Sequence, residues 1–196
     1  MNRLMVLAVL LGAALVGEKA MSYEEPEYRV LEQREGYEIR QYEPYLVAQT
    51  TIQGGFRDSG NQAFRILAGY IFGDNSQSKK MAMTVPVTSS LTQGSEARDR
   101  YDWQFVMERA YDQDSLPRPV DQRVSILEMP ARTMAVRRYS GRTTEKNFVK
   151  NLDTLNAALQ RDQVRSVGEP QSAVYNGPFT LPFFRRNEVL VEITRW

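Results

Sequence analysis

A chain of 196 residues with 42% hydrophobic and 25% charged residues has the composition of one ordinary globular domain. Its formal net charge of +1, without any basic run longer than two residues, excludes the electrostatic pattern of a nucleic-acid-binding protein. The chain contains no cysteine and no histidine, which excludes disulfides, histidine-ligated metals and every catalytic scheme with a histidine base.

The first 22 residues differ from the rest of the chain. Arg3 is followed by a run without polar side chains, residues 4–16, which is too short for a helix across a hydrocarbon core of about 30 Å. It has the proportions of a secretory signal, and the small residues Ala20 and Ser22 predict cleavage after Ser22. The alternative is an uncleaved anchor. In both cases we expect residues 23–196 to be exported. They would be periplasmic after cleavage, or held at the membrane facing the periplasm if the N-terminal segment is kept. Contact with the membrane is expected only through that uncleaved segment.

Two stretches of the chain, residues 37–54 and 124–141, align without a gap. Ile39 falls on Ile126 and Gly54 on Gly141. Each stretch alternates apolar and other residues in two short bursts, which predicts strands with one buried face. The pattern indicates an internal repeat; shared strand patterning without duplication is the alternative.

A helix is predicted after each copy. The first carries apolar residues at helical spacing and ends at residues 73–75, and the second spans about residues 144–161 with Thr143 or Thr144 as its cap. The stripes are Phe64, Leu67, Ala68 and Ile71 in the first helix, and Phe148, Leu152, Leu155 and Leu159 in the second. Two further strands follow each helix, at residues 81–88 and 103–108, then 172–175 and 188–194.

The elements therefore form a ββαββ unit twice, over about residues 28–109 and 123–195. We expect an α+β domain in which each helix packs on the sheet of its own half. A groove between the two halves is the expected place for a small ligand.

Several segments are more specific than this pattern. QYEPYLVAQT (residues 41–50), AFRILAGYIFGDNSQSKKMAMTVPVT (63–88), the strand at 103–107 and RRNEV (185–189) occur in one order. Together they resemble the SOUL haem-binding-protein family over about residues 27–195. The resemblance implies a distorted antiparallel β-barrel of about eight strands with two long helices, similar to gyrase-inhibitor-like ligand-binding domains. It also implies tetrapyrrole binding.

The chain departs from that family in two respects. Some members are thought to use a histidine as axial ligand, and this chain has none. In animal members, basic residues of the first helix have been proposed to meet the haem propionates. Aligning the helices through Tyr70 and Ile71 puts Asn61 and Ile66 at those positions, and Arg65 is the base on that surface here.

A tetrapyrrole site needs apolar walls and cations at its rim. The expected walls come from the first helix and from the aromatic segment 175–183, and cations are expected beside both. The alternative for the helix residues is that they belong to the core. The alternative for the cations is that they are solvated or order a turn. Met81 and Met83 are the thioether candidates for the iron, but non-ligated or tyrosine-bound haem is favoured. The predicted site residues are Arg65, Leu67, Tyr70, Ile71, Lys79, Lys80, Tyr175, Phe179, Phe183 and Arg185, with Arg186 as a further cation.

The favoured function is binding of haem or a related tetrapyrrole or apolar ring compound for transport, buffering or scavenging. No nucleic-acid partner and no metal ion bound directly by the protein are expected. The alternatives are a ligand-free scaffold, or a hydrolase or isomerase that uses a buried carboxylate in the same groove. No spacing marks a catalytic pair among the strand glutamates, which are Glu38, Glu43, Glu128, Glu188 and Glu192.

Overall fold

A computed structural model describes residues 23–94 and 99–196, so the predicted export segment lies outside the described residues. Its elements follow the order ββαββ twice, preceded by one strand that the sequence did not predict. They are β1 (Tyr28–Arg34), β2 (Tyr37–Tyr42), β3 (Tyr45–Gln53), α1 (Phe56–Phe72), β4 (Val87–Leu91), β5 (Arg100–Val106), β6 (Ser125–Met129), β7 (Arg132–Tyr139), α2 (Glu145–Arg161), β8 (Arg165–Val174) and β9 (Asn187–Arg195).

The nine described strands form one antiparallel sheet in the order β1-β2-β7-β9-β8-β4-β5-β3-β6. This confirms the α+β class. The sheet is not closed into the expected barrel, because β1 pairs only with β2 and β6 pairs only with β3 in the described part of the chain. The sheet of the described residues therefore has two open edges, formed by β1 and β6.

The two halves exchange strands. β2 pairs with β7, and β3 pairs with β6, so the neighbours β2 and β3 do not pair with each other. At the centre of the sheet, β4 of the first half meets β8 of the second, with Val87 opposite Val174 and Ser89 opposite Ser172. Each half is thus completed by a strand of the other, and the halves form one folding unit.

Both helices pack on the same face of their sheet. From α1, Leu67 and Ile71 pack in a cluster with Trp103 and Phe105 of β5, and from α2, Leu155 is buried in a second cluster that contains strand residues of β2, β7 and β9. Val189 and Val191 belong to that second cluster, whereas Leu190 belongs to a third. Because successive strand side chains point to opposite faces, the third cluster lies on the face without helices. It contains Tyr42, Met134, Val136, Ala173, Tyr175 and Leu190.

The helix ends agree with the sequence prediction. The Thr144 side chain accepts a hydrogen bond from the Asn147 amide at 3.2 Å and caps α2. Helix α1 ends at Gly73, whose φ of 127° is a conformation that favours glycine. The strand after α1 is shorter than predicted, because residues 81–86 are not part of the ladder and β4 begins at Val87. Neither described helix is long and apolar enough to cross a membrane.

The buried indole of Trp103 lies directly against α1, and this contact makes a prediction for Gly60. A Cβ at Gly60 would come within 2.7 Å of the Trp103 ring. We expect Gly60→Ala to lower the free energy of unfolding by about 1–3 kcal/mol through overpacking, which exceeds the roughly 1 kcal/mol gained in helix propensity. Urea unfolding measures the change. Gly177→Ala is the control, since nothing lies within 4 Å of its Cβ position; a Gly60 variant as stable as this control would contradict the prediction.

Candidate functional site

Helix α1 presents two aromatic side chains to solvent. Phe64 and Phe72 are 48% and 55% exposed, and the small residue Ala68 between them is buried, at 9% exposure. These positions are four residues apart, so they follow one another on one side of the helix over about 12 Å. The Phe64 ring is supported from below by the ring of Phe105, with centroids 5.4 Å apart. We call Phe64, Ala68 and Phe72 the α1 strip.

Three cations lie on α1 or in the loop that follows it. Arg65 follows Phe64 on the helix, and Lys79 and Lys80 lie in the exposed loop after it. Within the described residues, none of the three forms an ion pair. The Lys79 ammonium lies 4.6 Å from the centroid of the Tyr111 ring. Their charges are therefore available to an anionic group.

The loop that carries the two lysines is held against the end of α1. The Asn75 side chain donates to the carbonyl oxygens of Tyr70 and Lys79, at 3.0 and 2.7 Å, and its Oδ1 accepts from the Lys79 amide at 3.0 Å. The Met81 amide donates to the Ile71 carbonyl at 2.9 Å. The positions of Lys79 and Lys80 are thus fixed by backbone contacts even though their side chains are in solvent.

The predicted wall residues of α1 lie inside the protein. Leu67, Tyr70 and Ile71 are buried in the core cluster beneath the helix, which is the alternative that the sequence left open. The Tyr70 hydroxyl donates to the Pro117 carbonyl at 2.8 Å, and burial raises its pKa to about 12. These residues support the α1 strip from below and do not form its surface.

A depression of about 370 Å³ adjoins α1 on the side of Arg65. It is polar, and two of its charged side chains, Arg123 and Asp121, are paired at 2.6 Å. Hydrogen bonds from Arg123 lower the pKa of Asp121 to about 2. This depression is unsuited to an apolar ring. Its lining residues are Gln62, Arg65, Ile66, Gly69, Asp74, Asp121 and Arg123.

A second exposed apolar surface lies between β8 and β9, in residues 176–184, which we call the aromatic loop. The Phe179 side chain is 98% exposed, and Leu181, Phe183 and Phe184 are also exposed. The rings of Phe183 and Phe184 contact each other, with centroids 4.4 Å apart. The predicted site residues Phe179 and Phe183 are therefore on the surface. Among the described residues, however, no hydrogen bond, ion pair or ring contact connects them to Arg65, Lys79 or Lys80.

Hydrogen bonds fix the aromatic loop in place. Arg185 donates from Nε to the Thr180 carbonyl at 2.8 Å and from Nη2 to the Pro178 carbonyl at 2.5 Å. The Gly141 amide, just before α2, donates to the Pro182 carbonyl at 2.8 Å. The predicted rim cation Arg185 thus uses two groups of its guanidinium to order a turn, as the sequence alternative allowed.

A buried ionic network lies beneath the aromatic loop, on the sheet face without helices. The side chain of Glu188 is completely buried and accepts hydrogen bonds from Arg40 at 3.0 and 3.3 Å, from Arg186 at 3.0 Å and from the Tyr175 hydroxyl at 2.7 Å. Arg40 is only 3% exposed and also donates from Nε to Glu38 at 2.7 Å. Tyr175, a predicted wall residue, therefore belongs to this network and not to an open groove.

The charges in the network stabilise one another. Burial disfavours a charged Arg40, but the neighbouring Glu188 and Tyr42 outweigh burial and leave the pKa of Arg40 above its ordinary value. Burial, and next the Glu188 carboxylate, raises the pKa of Tyr175. Both oxygens of Glu188 accept hydrogen bonds from groups that stay protonated near neutral pH. This carboxylate therefore serves as a structural acceptor for three side chains.

The sequence alone does not predict this network. Its pattern places Glu38 and Glu188 on strands without marking a pair, and the one local signal is that Arg40 and Tyr42 share a face of β2. In the described part of the chain, no group of three acidic side chains is placed to hold a metal ion.

The family model and the relatives that match this chain are all described as heme-binding proteins. A family model described as SOUL heme-binding protein matches residues 23–192. Heme-binding protein 2 of Homo sapiens is 33% identical over 159 residues, which cover 78% of this chain and 76% of the human protein. Heme-binding protein 2 of Mus musculus is 30% identical over 181 residues, covering 88% of this chain and 87% of the mouse protein.

Solved structures share the fold at much lower identity. The EcmrR C-terminal domain has a TM-score of 0.62 and 8% identity, over 86% of this chain and 99% of that one. An uncharacterized conserved protein from Listeria innocua has a TM-score of 0.59 and 9% identity, over 89% of this chain and 94% of that one. At such identities the similarity extends to the fold alone.

Proposed function

This chain belongs to the SOUL heme-binding protein family, and from that premise we propose that it binds haem or a related tetrapyrrole on the α1 strip. The macrocycle lies against Phe64 and Phe72, and the propionates meet Arg65, Lys79 and Lys80. The observation that carries this proposal is a pair of exposed phenylalanines on α1, with three cations on the helix and in the loop after it that form no ion pair among the described residues.

The residues fit such a ligand in shape and charge. A tetrapyrrole is a flat apolar disc with carboxylates on one edge, and a helix surface about 12 Å long supports a disc of that kind. A guanidinium can hold a carboxylate with two hydrogen bonds, and the lysines supply point charges at the end of the strip. The chain has no histidine, so we propose binding through the ring and the propionates, with an iron that is non-ligated or tyrosine-bound. Binding of this type suits transport, buffering or scavenging.

Titration of the protein with haemin, read by the Soret band, tests the proposal. We expect a stoichiometric shift for the unchanged chain. An Arg65→Ala, Lys79→Ala and Lys80→Ala variant should bind about tenfold more weakly, because exposed charge pairs contribute roughly 0.2–1 kcal/mol each and 1.4 kcal/mol is a factor of ten. Lys146→Ala with Lys150→Ala removes two exposed charges of α2 and should leave the affinity unchanged.

Two apolar variants identify the surface that carries the ring. Phe64→Ala with Phe72→Ala should weaken haemin binding at least as much as loss of the three cations. Phe179→Ala with Phe183→Ala should not weaken it. The reverse pattern would move the ligand to the aromatic loop and refute the α1 assignment. An unchanged spectrum of the parent chain would reject haem binding and leave the enzyme or scaffold alternatives.

We further propose that the two halves arose by duplication. Matching β2, β3, β4 and β5 with β6, β7, β8 and β9 makes the strand order from β2 to β6 the same from either end of the sheet. Both halves also have a glycine with positive φ before the helix, Gly54 at 136° and Gly141 at 116°. This pseudo-twofold arrangement supports the repeat proposed from the sequence.

A further inference from the structure

The aromatic loop keeps four large apolar side chains in water without being free to collapse. Its two ends continue into β8 and β9, and Arg185 donates to two carbonyl oxygens inside it. The Phe184 and Thr180 amides donate to the carbonyls of Leu181 and Gly177, at 3.0 and 3.1 Å. A group of exposed apolar side chains that is held outward in this way indicates an interaction site.

The N-terminal end of the described chain lies at the base of this loop. Glu25 accepts from Arg186 Nη1 at 2.9 and 3.0 Å, and Arg186 is only two positions after Phe184. The Val85 amide donates to the Glu24 carbonyl at 2.9 Å, which holds the same segment to the fold. In the sequence, Glu25 is nine positions after Val16, the last residue of the apolar run 4–16. The described chain therefore begins at the base of the aromatic loop.

Two arginines in or beside the aromatic loop, Arg185 and Arg142, form no ion pair among the described residues, whereas Arg186 is paired with Glu25 and Glu188. Residues 170–187 contain no aspartate or glutamate. Arg142 is exposed and follows Gly141, whose amide donates to the Pro182 carbonyl inside the loop. Apolar side chains with adjacent cations form the pattern that binds the interface of an anionic bilayer, where rings reach the acyl boundary and cations meet phosphates.

We propose that the aromatic loop inserts into the interfacial region of an anionic lipid bilayer, with Phe179 and Phe183 at the acyl boundary and Arg142 at the headgroups. The base of the loop, where Glu25 contacts Arg186, then faces the same membrane surface. This leaves the α1 strip as a separate surface for the ligand, so the inference does not depend on the proposed haem site.

Depth measurement by spin labelling tests the insertion, because the natural chain contains no cysteine and each introduced one is unique. The full-length chain with Phe179→Cys is labelled and reconstituted in vesicles of equal parts phosphatidylcholine and phosphatidylglycerol. We expect the label to become accessible to oxygen and protected from a water-soluble nickel complex. A label at Val120→Cys is the control; this side chain is 67% exposed in another loop and should stay accessible to nickel.

Further variants separate the loop from the N-terminal segment and from the haem surface. Leu181→Ser, Phe183→Ser and Phe184→Ser in the chain labelled at 179 should return the label to water, although the N-terminal segment is unchanged. Phe64→Ser with Phe72→Ser should leave its depth the same. The proposal would be overturned if the label at 179 were as accessible to nickel as the label at 120. The same high accessibility is expected if the loop binds a protein instead of a bilayer. Haemin titration of the same variants is an independent readout.

Discussion

Replacing Glu188 with leucine should lower the free energy of unfolding by about 3–5 kcal/mol, the usual cost of removing one partner from a buried ion pair. Arg40 remains enclosed, at 3% exposure, and loses two of its hydrogen bonds. Tyr175 and Arg186 lose an acceptor in the same place. Glu38 still contacts Arg40 and limits the loss. Urea unfolding followed by circular dichroism measures the change at neutral pH.

The size of this effect should depend on the charge that is left behind. Arg40→Met combined with Glu188→Leu should be less destabilising than Glu188→Leu alone, because an apolar replacement of a buried pair leaves no isolated charge. Glu35→Gln is the control: Glu35 forms an exposed ion pair with Arg161 at 3.4 Å and should change stability by less than about 1 kcal/mol. If Glu188→Leu were as mild as this control, the network would contribute no net stability.

The helices could be predicted from the sequence because their evidence is local. Leu155 and Leu159 recur at helical spacing, and Thr144 and Gly73 are residue types that cap helix ends. The surface of α1 was less predictable. Phe64 was placed in the same stripe as Leu67, but it lies at the margin of that stripe, where an aromatic ring can contact Phe105 and still remain exposed.

The sheet was less predictable because strand pairing is not a local property. β1 was missed since its residues are nearly all exposed and show no alternation. The exchange of β2 and β3 between halves could not be inferred, because each strand would fit either partner by its own pattern. The expectation of a closed barrel failed for the same reason: closure depends on whether the edge strands meet, and β1 and β6 do not.

The proposed site shows the same contrast between local and long-range evidence. The sequence alone predicts Arg65 on the first helix and Lys79 and Lys80 in the loop after it as exposed charges, and their role in binding stays a prediction. The Glu188 network could not be predicted in this way, since it joins residue 40 with residues 175–188 across more than a hundred positions. Only the register of β2, β7 and β9 brings these side chains to one face.

Stability should fall as the pH rises above about 10, the ordinary pKa of tyrosine in an unfolded chain. Burial raises the pKa of Tyr42 in the folded protein although Arg40 opposes the increase, and burial followed by the Glu188 carboxylate raises the pKa of Tyr175. A group with a raised folded pKa keeps its full stabilising effect below the unfolded pKa and loses it above, as the unfolded chain releases the proton first. Each of these tyrosines can therefore contribute a loss of up to about 1.4 kcal/mol per pH unit.

Tyr175→Phe separates this titration from the loss of a hydrogen bond. The variant should be less stable at neutral pH by about 1–3 kcal/mol, because Glu188 loses a donor. Its stability should nevertheless fall less steeply above pH 10 than that of the parent chain, because one proton fewer is released on unfolding. Urea midpoints between about pH 8 and pH 12 give both quantities, and Phe184→Ala, an exposed change nearby, should alter neither. The prediction is wrong if stability falls equally steeply with pH in Tyr175→Phe and in the parent chain. The Tyr175 hydroxyl would then ionise in the folded protein as readily as in the unfolded chain. A phenol enclosed beside a buried carboxylate should not do so.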